Sequence, residues 1–480
     1  MNNILSYINR NRFVFIGLCF VGLWYILCLL FPPTINMVAE TSLYSRQIAR
    51  LSLFALLVPV VIFAYDTRTD KVPITERLLW QACAVLLAVV VHNVRTLLDV
   101  ELLFLVMAVV YLIKNKGKTF HSLSALHYLL IAYVIWNGIS IMWSNNPSYG
   151  LHLLQRFVPL ILFPICFQCF RVSNRIFHLL LKVFWQAAFI ACLLSFCSSI
   201  YVLLYLDTSI FDIFTLHKAQ IHGYYCYNIL YAWSAAPHPS YNAIWLLFAT
   251  LTNIYLFEYK QISQTEYTIH WIVTILLVVL SQSRIGIVME IIAFICWIIY
   301  HFRFQKVVLT IIGSIIFVGL LGAYFVTPQI FEQFLGDPTR VKLLEVATYH
   351  IKLHPWLGCG LGGMTSEYLC ATIPNFPFVQ YPHFYPHNQF TGDWMQSGLP
   401  GMLLITSISV FFLIISIKKR NYPMIAFWLC IIPFMLIEMP LRFLYGNLSI
   451  AIMTSFGLTQ MPTSDTIANR SSNDAPMKTR

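Results

Sequence analysis

Long runs of apolar residues alternate with short polar connections along most of this chain. Each run is continuous in its hydrophobicity, which favours membrane-spanning helices over the alternating strands of a transmembrane barrel. A hydrocarbon core about 30 Å thick needs roughly 20 apolar residues in a helix, and several runs are shorter, so the pattern predicts about 12–14 helices. The runs are Arg12–Phe31, Leu51–Ala64, Leu78–Val94, Leu97–Ile113, Tyr128–Trp143, Phe157–Phe170, Ile176–Leu206, Tyr241–Phe257, Tyr267–Ser281, Ile285–Phe302, Val307–Val326, Leu399–Ile417, Tyr422–Ile437 and Phe443–Leu458.

One connection is much longer than the others. It covers residues 327–398, between the eleventh and twelfth runs, and contains a short predicted helix at Val341–His354. Long loops between transmembrane helices usually carry function. We therefore predict an all-α, polytopic transmembrane helical bundle that forms a single integral membrane domain over residues 1–458. Residues 459–480 are polar and predict a disordered cytoplasmic tail.

Composition supports a protein embedded in membrane lipids. Hydrophobic residues make up 59% of the chain and charged residues 10%, whereas a soluble domain carries about 25% charge. The net charge of +11 arises in alternate short loops, a pattern that orients a membrane protein, so we expect no nucleic-acid partner. The basic loops are predicted to be cytoplasmic, which places the 327–398 loop on the outer face.

This loop contains the best candidate for a catalytic base, His387. Histidine titrates near neutral pH and can accept a proton from a hydroxyl group. Pro386 restricts the backbone just before it, and Asn388 can support its orientation through a hydrogen bond. The alternative is that His387 is only a solvated loop side chain.

Histidine spacing also raises the possibility of a metal site. His383 and His387 are four residues apart, as are His350 and His354, and on a helix this spacing can bind zinc. Proline 386 argues against a helix at the first pair, and no acidic cluster accompanies either pair. We therefore expect no metal site.

Three arginines on the predicted outer side are candidates for binding an anion. They are Arg284 in a tight connection, Arg340 in the long loop and Arg156 at the start of the sixth run. An arginine so close to hydrocarbon either extends its side chain to the interface or faces a wet cavity. Guanidinium suits phosphate because it keeps its proton and donates two parallel hydrogen bonds. Glu438 and Arg442, four residues apart, are instead predicted to pair with each other.

Several motifs occur in a fixed order between residues 281 and 401, and their order resembles the O-antigen ligase and polymerase superfamily. The early turn Trp143–Pro147 is also similar to that family. Gln396 departs from the family pattern, which often has an acidic residue there, so we treat it as a supporting position. The motifs of the 281–401 core are Ser283-Arg284, Arg340, His354-Pro355-Trp356-Leu357-Gly358-Cys359-Gly360, Pro386-His387-Asn388-Gln389-Phe390 and Gly398-Leu399-Pro400-Gly401.

The resemblance implies a multi-pass enzyme of the bacterial inner membrane that transfers a glycan from undecaprenyl diphosphate on the periplasmic face. It implies that His387 activates the acceptor hydroxyl while Arg284 and Arg340 hold the diphosphate, with Arg156 as a predicted third contact. Arginines then supply the positive charge without a metal or other cofactor, and the anomeric carbon is inverted.

Several alternatives share these features. The acceptor is lipid A–core in a ligase and a second lipid-linked glycan in a polymerase, and a protein-glycosylating relative has the same motifs. A transporter of the lipid-linked glycan is the alternative from another class. Transporters often contain internal repeats, and the chain has no second copy of the arrangement from Arg284 to His387.

Overall fold

Helices form every regular element that the computed structural model describes. It describes residues 55–91, 94–115, 125–169, 173–205, 239–280, 283–302, 338–363, 385–419 and 421–459, with eight separate positions between 13 and 30. The chain divides into two compact units: Met1–Phe120 with Cys169–Glu290, and His121–Gln168 with Ile291–Arg480. The α-helices are α1 (Ala55–Asp66), α2 (Ile74–Val89), α3 (Val94–Lys114), α4 (Ala125–Ser140), α5 (Pro147–Cys169), α6 (Asn174–Tyr205), α7 (Pro239–Glu258), α8 (Gln264–Leu280), α9 (Arg284–Phe302), α10 (Pro338–Leu353), α11 (Gln389–Lys418), α12 (Tyr422–Ile437) and α13 (Leu444–Thr459).

The described helices are those of an all-α membrane protein. Among the described residues, four segments are long and apolar enough to cross a membrane, at Ala125–Trp143, Pro147–Phe167, Asn174–Cys197 and Gln389–Lys418. The total of 12–14 helices stays a prediction, because the eleventh run, most of the first run and residues 460–480 lie outside the described residues. The same holds for the long loop, of which 327–337 and 364–384 lie outside them.

Two helices begin ten residues earlier than their apolar runs predict, α5 at Pro147 and α11 at Gln389. Their first turns are polar, so hydrophobicity alone does not reveal them. Asn146 and Asn388 stand just before these helices, and each side-chain oxygen accepts a backbone N–H at 3.0 Å. This capping bond satisfies a donor that the first helical turn leaves free. The predicted loop therefore contains α10 and the first ten residues of α11.

In the first unit, α6 is the central helix and packs against α2, α7 and α8. The indole of Trp185 donates to Asn253 at 2.7 Å, and the Asn253 amide donates to the backbone oxygen of Tyr267 at 2.9 Å. Both Trp185 and Asn253 are fully buried. Hydrogen bonds of this kind let polar groups remain inside an apolar bundle.

In the second unit, α11 packs against α4, α10 and α12. The path of α11 is interrupted at Gly398, where φ is 73°. Beside this interruption, the Cys359 N–H donates to the Met395 carbonyl at 2.9 Å, and the Leu399 N–H donates to the Pro355 carbonyl at 3.1 Å. The glycine-containing segment after α10 is thus bonded to the backbone of α11.

The interruption at Gly398 predicts a large effect of adding one methyl group. In Gly398→Ala, the new Cβ would lie 2.1 Å from the Trp356 carbonyl oxygen, on a backbone that L-residues rarely adopt. We expect the free energy of unfolding to fall by about 1–3 kcal/mol from the backbone strain, and further from the clash. The measurement is the apparent melting temperature in detergent. Gly138→Ala is the matched control, because its Cβ would meet only Leu154 at 3.5 Å; equal melting temperatures for both variants would contradict this account.

Candidate functional site

His387 lies at the entrance to α11 in a strained backbone conformation. Its φ is 49°, in the left-handed region that non-glycine residues rarely adopt. The next residue, Asn388, is extended and caps α11 through its side chain. Such strain costs on the order of 1–3 kcal/mol and persists only where surrounding contacts fix it. The contacts around His387 therefore fix its backbone at the start of α11.

The imidazole is fixed by a buried carboxylate on another element. Glu438 directly follows α12, its side chain is 1% exposed, and its Oε2 lies 3.1 Å from His387 Nδ1. Because an ionised carboxylate only accepts hydrogen bonds, the neutral imidazole in this contact has its hydrogen on Nδ1 and its lone pair on Nε2. No described residue hydrogen bonds to Nε2, and the His387 side chain is 18% exposed. This arrangement leaves Nε2 free to accept a proton from a bound molecule.

The turn that carries Glu438 is held against α11 by Gln389. The Leu441 N–H donates to Gln389 Oε1 at 3.0 Å, and Gln389 Nε2 donates to Asp393 at 3.0 Å. Tyr133 from α4 donates to the same Asp393 carboxylate at 3.1 Å. All three side chains are buried. A buried polar chain thus connects α4, α11 and the turn at 438–442.

Two arginines lie on this side of the second unit. The Nη2 of Arg442 donates to the Tyr149 hydroxyl at 3.3 Å, and its guanidinium carbon lies 5.4 Å from the centre of the Tyr385 ring. Arg156 Nη1 donates to the backbone oxygen of Arg442 at 2.9 Å. The Tyr385 ring lies 4.1 Å from the His387 ring. One aromatic side chain therefore contacts both the imidazole and a guanidinium.

Residues 270–406 match the family model described as O-Antigen ligase. The match supports a place for this part of the chain in the O-antigen ligase superfamily. Among curated proteins, none matches the chain. The O-antigen ligase segment contains Arg284, Arg340 and His387, as the motif order predicts, and ends inside α11. Glu438 and Arg442 lie beyond it.

The structure brings only some of the predicted site residues together. His387, Asn388, Gln396 and Arg156 all belong to the second unit, whereas Arg284 belongs to the first. Asn388 caps α11, so its observed bond supports the backbone beside His387 rather than the imidazole ring. Gln396 is 5% exposed and lines a cavity of about 10 Å³, large enough for a single water molecule.

Arg284 and Arg340, the predicted site arginines within the O-antigen ligase segment, have fewer described contacts than Arg156. Arg284 is the first residue of α9 and is exposed. Arg340 lies in the first turn of α10, which packs against α11, and its side chain is outside the described part of the chain. Their joint action with His387 on one reaction centre stays a prediction.

Glu438 does not pair with Arg442 as the spacing predicts. The described ion pair of Glu438 is with His387, while Arg442 bonds to Tyr149. The reason is that α12 ends at Ile437, because Pro440 cannot continue a helix and disfavours helical conformation before it. Residues four apart face each other only on a continuous helix.

The structure describes both histidines of one pair that could bind a metal and only one histidine of the other pair. His350 is fully buried in α10, and burial lowers its pKa, with a further contribution from His354. His354 is exposed, and His383 lies outside the described residues. Within the described ranges, no three His, Cys, Asp or Glu side chains are grouped as metal ligands.

The buried polar chain predicts that Gln389 stabilises the O-antigen ligase segment. Gln389→Ala removes the acceptor of the Leu441 N–H and one donor to Asp393. A buried group left unpaired costs about 1–3 kcal/mol, so we expect a lower melting temperature in detergent. The matched control is Gln261→Ala, because Gln261 is exposed and makes only a local bond to Tyr259. A Gln389→Ala protein as stable as this control would show that the bonds contribute little.

Proposed function

We propose that this protein is an O-antigen ligase-type glycosyltransferase. In this proposal it moves a glycan from undecaprenyl diphosphate to lipid A–core, at the periplasmic face of a bacterial inner membrane. The observation that supports it best is the His387–Glu438 pair, because a histidine with a fixed tautomer and a free Nε2 suits proton removal from a hydroxyl. The family match over residues 270–406 supports the same class of reaction.

The proposed reaction begins with proton transfer to His387. The acceptor sugar donates its hydroxyl proton to Nε2 as its oxygen attacks the anomeric carbon of the donor. Glu438 then stabilises the imidazolium that forms, because its carboxylate lies 3.1 Å from Nδ1 and attracts the new positive charge. The carboxylate also holds the ring in the tautomer that the reaction needs.

The second half of the reaction is departure of the lipid diphosphate. The bond between the anomeric carbon and the phosphate oxygen breaks, and its electron pair leaves with undecaprenyl diphosphate. Diphosphate is a good leaving group, so the proposal needs no general acid. Arg284, Arg340 and Arg156 are proposed to bind its negative charge, and preorganised positive charge of this kind can replace a metal ion. Attack opposite the departing group inverts the anomeric carbon.

Lipopolysaccharide gels of a deletion strain test the proposed acceptor. A ligase predicts loss of every O-chain from the core while lipid-linked polymer continues to be made. A core that carries one repeat unit would instead indicate a polymerase. A strain in which lipid-linked glycan accumulates unpolymerised on the cytoplasmic face would indicate a transporter.

Substitutions at the pair test the proposed base. We expect His387→Ala to lower glycan transfer by about 10²–10⁴-fold, the usual contribution of a proton-transfer group. Glu438→Gln keeps the shape and removes the charge, so we expect a loss of at least about tenfold and at most the ~10⁴-fold found for orienting carboxylates. Transfer is measured with purified protein at matched amounts and in excess EDTA, because the proposal needs no divalent metal.

The matched control for the base is His354→Ala, since His354 is an exposed histidine of the same unit. It should transfer glycan at close to the wild-type rate. Near-normal transfer by His387→Ala would show that another group removes the proton. Activity that EDTA abolishes and magnesium or manganese restores would contradict the metal-free reaction.

A further inference from the structure

Arg156 and Arg442 form a pair of neighbouring guanidinium groups with no carboxylate partner among the described residues. Their side chains come from α5 and from the turn after α12, and Arg156 Nη1 reaches the Arg442 backbone at 2.9 Å. Across the residues that the structure describes, no Asp or Glu oxygen lies within 4.0 Å of either guanidinium. Arg442 is only 9% exposed. The position therefore concentrates positive charge that the described side chains do not neutralise.

Burial makes the charge of Arg442 costly without an anion. Removing a charged group from water is unfavourable unless an opposite charge or hydrogen bonds compensate. Arg442 has the Tyr149 hydroxyl and the Tyr385 ring as partners, but both are neutral. Glu438 lies on the same turn, yet its carboxylate is bonded to His387. The guanidinium groups of Arg156 and Arg442 carry two positive charges, and the Glu438 carboxylate carries one negative charge. These three side chains together therefore have a net positive charge.

The small cavity beside Arg442 does not supply the missing anion site. It is lined in part by Arg442, Asp393 and Gln396, and its volume is about 10 Å³, which suits one water molecule. The Asp393 carboxylate already accepts bonds from Tyr133 and Gln389. A phosphate group is too large for this space. It would have to approach from the other side, where Arg156 is half-buried and His152 is exposed.

The groups on that open side are held in fixed positions. Arg156 Nη2 lies 3.1 Å from His152 Nε2, and the rings of His152 and Tyr149 are stacked at 6.4 Å. Tyr149 in turn accepts from Arg442. A guanidinium has five N–H donors, and these contacts use only some of them. Both arginines therefore keep donors for a ligand while their side chains are prevented from rotating away.

We infer that Arg156 and Arg442 together bind a phosphate-type anion, with Tyr149 as a positioning residue. The inference rests on the proposed function in one respect: the anion is taken to be the diphosphate of the lipid-linked donor. Arg442 is then a substrate contact, although its spacing from Glu438 predicted an ion pair between the two. Its contact with Tyr385, which also touches His387, puts the anion on the same face as the proposed base.

Binding of a prenyl diphosphate without a glycan tests this inference directly. Purified protein in phosphatidylcholine nanodiscs is titrated with the prenyl diphosphate, and melting temperature is recorded for each variant. We expect Arg442→Lys and Arg156→Lys each to weaken binding by about tenfold, because an ammonium keeps the charge but not the two parallel donors. Arg175→Lys is the matched control, since Arg175 is exposed and paired with Asp70, and it should bind like wild type.

Two further measurements test the anion site independently of the two lysine variants. Tyr149→Phe removes only the hydroxyl that holds Arg442, so binding should weaken by roughly threefold even if Arg442→Lys does not fold. Inorganic pyrophosphate should compete with the prenyl diphosphate, and lose this ability in the same variants. A prenyl alcohol that competes equally well would overturn the inference, because the lipid tail would then carry the binding. Unchanged affinity in stable Arg156→Lys and Arg442→Lys proteins would overturn it too.

The test of the anion site can succeed or fail independently of the test of the proposed base. His387→Ala should bind the prenyl diphosphate normally while failing to transfer glycan. If it transfers glycan normally and binding still depends on Arg156 and Arg442, the anion site stands and the proposed base is wrong. If transfer depends on His387 but binding is indifferent to both arginines, the base stands and the anion site is wrong.

Discussion

A buried polar group inside an apolar helical bundle has to find a partner, and this constraint organises the second unit. Lipid and apolar side chains offer no hydrogen bonds, so an unpaired group there costs several kcal/mol. Glu438 meets this requirement through His387, and Asp393 meets it through Tyr133 and Gln389. Each of these bonds joins residues from separate elements or successive turns. Satisfying them brings α4, α11 and the turn at 438–442 into one fixed arrangement.

The same bonds explain how a strained histidine can be kept in place. A positive φ at His387 is unfavourable in isolation. Here Asn388 begins α11 with a capping bond on one side of the residue, and Glu438 holds the imidazole from another element. Relaxing the backbone would disturb both of these contacts. A base that must meet a hydroxyl within hydrogen-bond distance benefits from this loss of freedom.

Hydrophobic periodicity was enough to predict most of the helices that the structure describes. The run Tyr422–Ile437 coincides with α12, and the run Ile285–Phe302 differs from α9 by one residue. The polar starts of α5 and α11 were missed because they depend on side-chain caps rather than on apolar length. The prediction of His387 as the base rests on a histidine between proline and asparagine, which stands out in a mostly apolar chain. The sequence did not indicate its partner Glu438, because the spacing of Glu438 and Arg442 predicted that these two residues pair with each other. They do not, because α12 ends at Ile437, before both of them.

The turn at 438–442 also links the chemistry of the proposed base to the charge around it. Glu438 brings a negative charge close to the position where a diphosphate is proposed to bind, and alone it would repel that substrate. Arg442 follows on the same turn and restores positive charge on the side that faces Tyr149 and Arg156. Because Gln389 fixes this turn through Leu441, the carboxylate and the guanidinium cannot shift independently. In the proposed reaction, one short segment thereby sets both the direction of the imidazole and the sign of the field at the substrate.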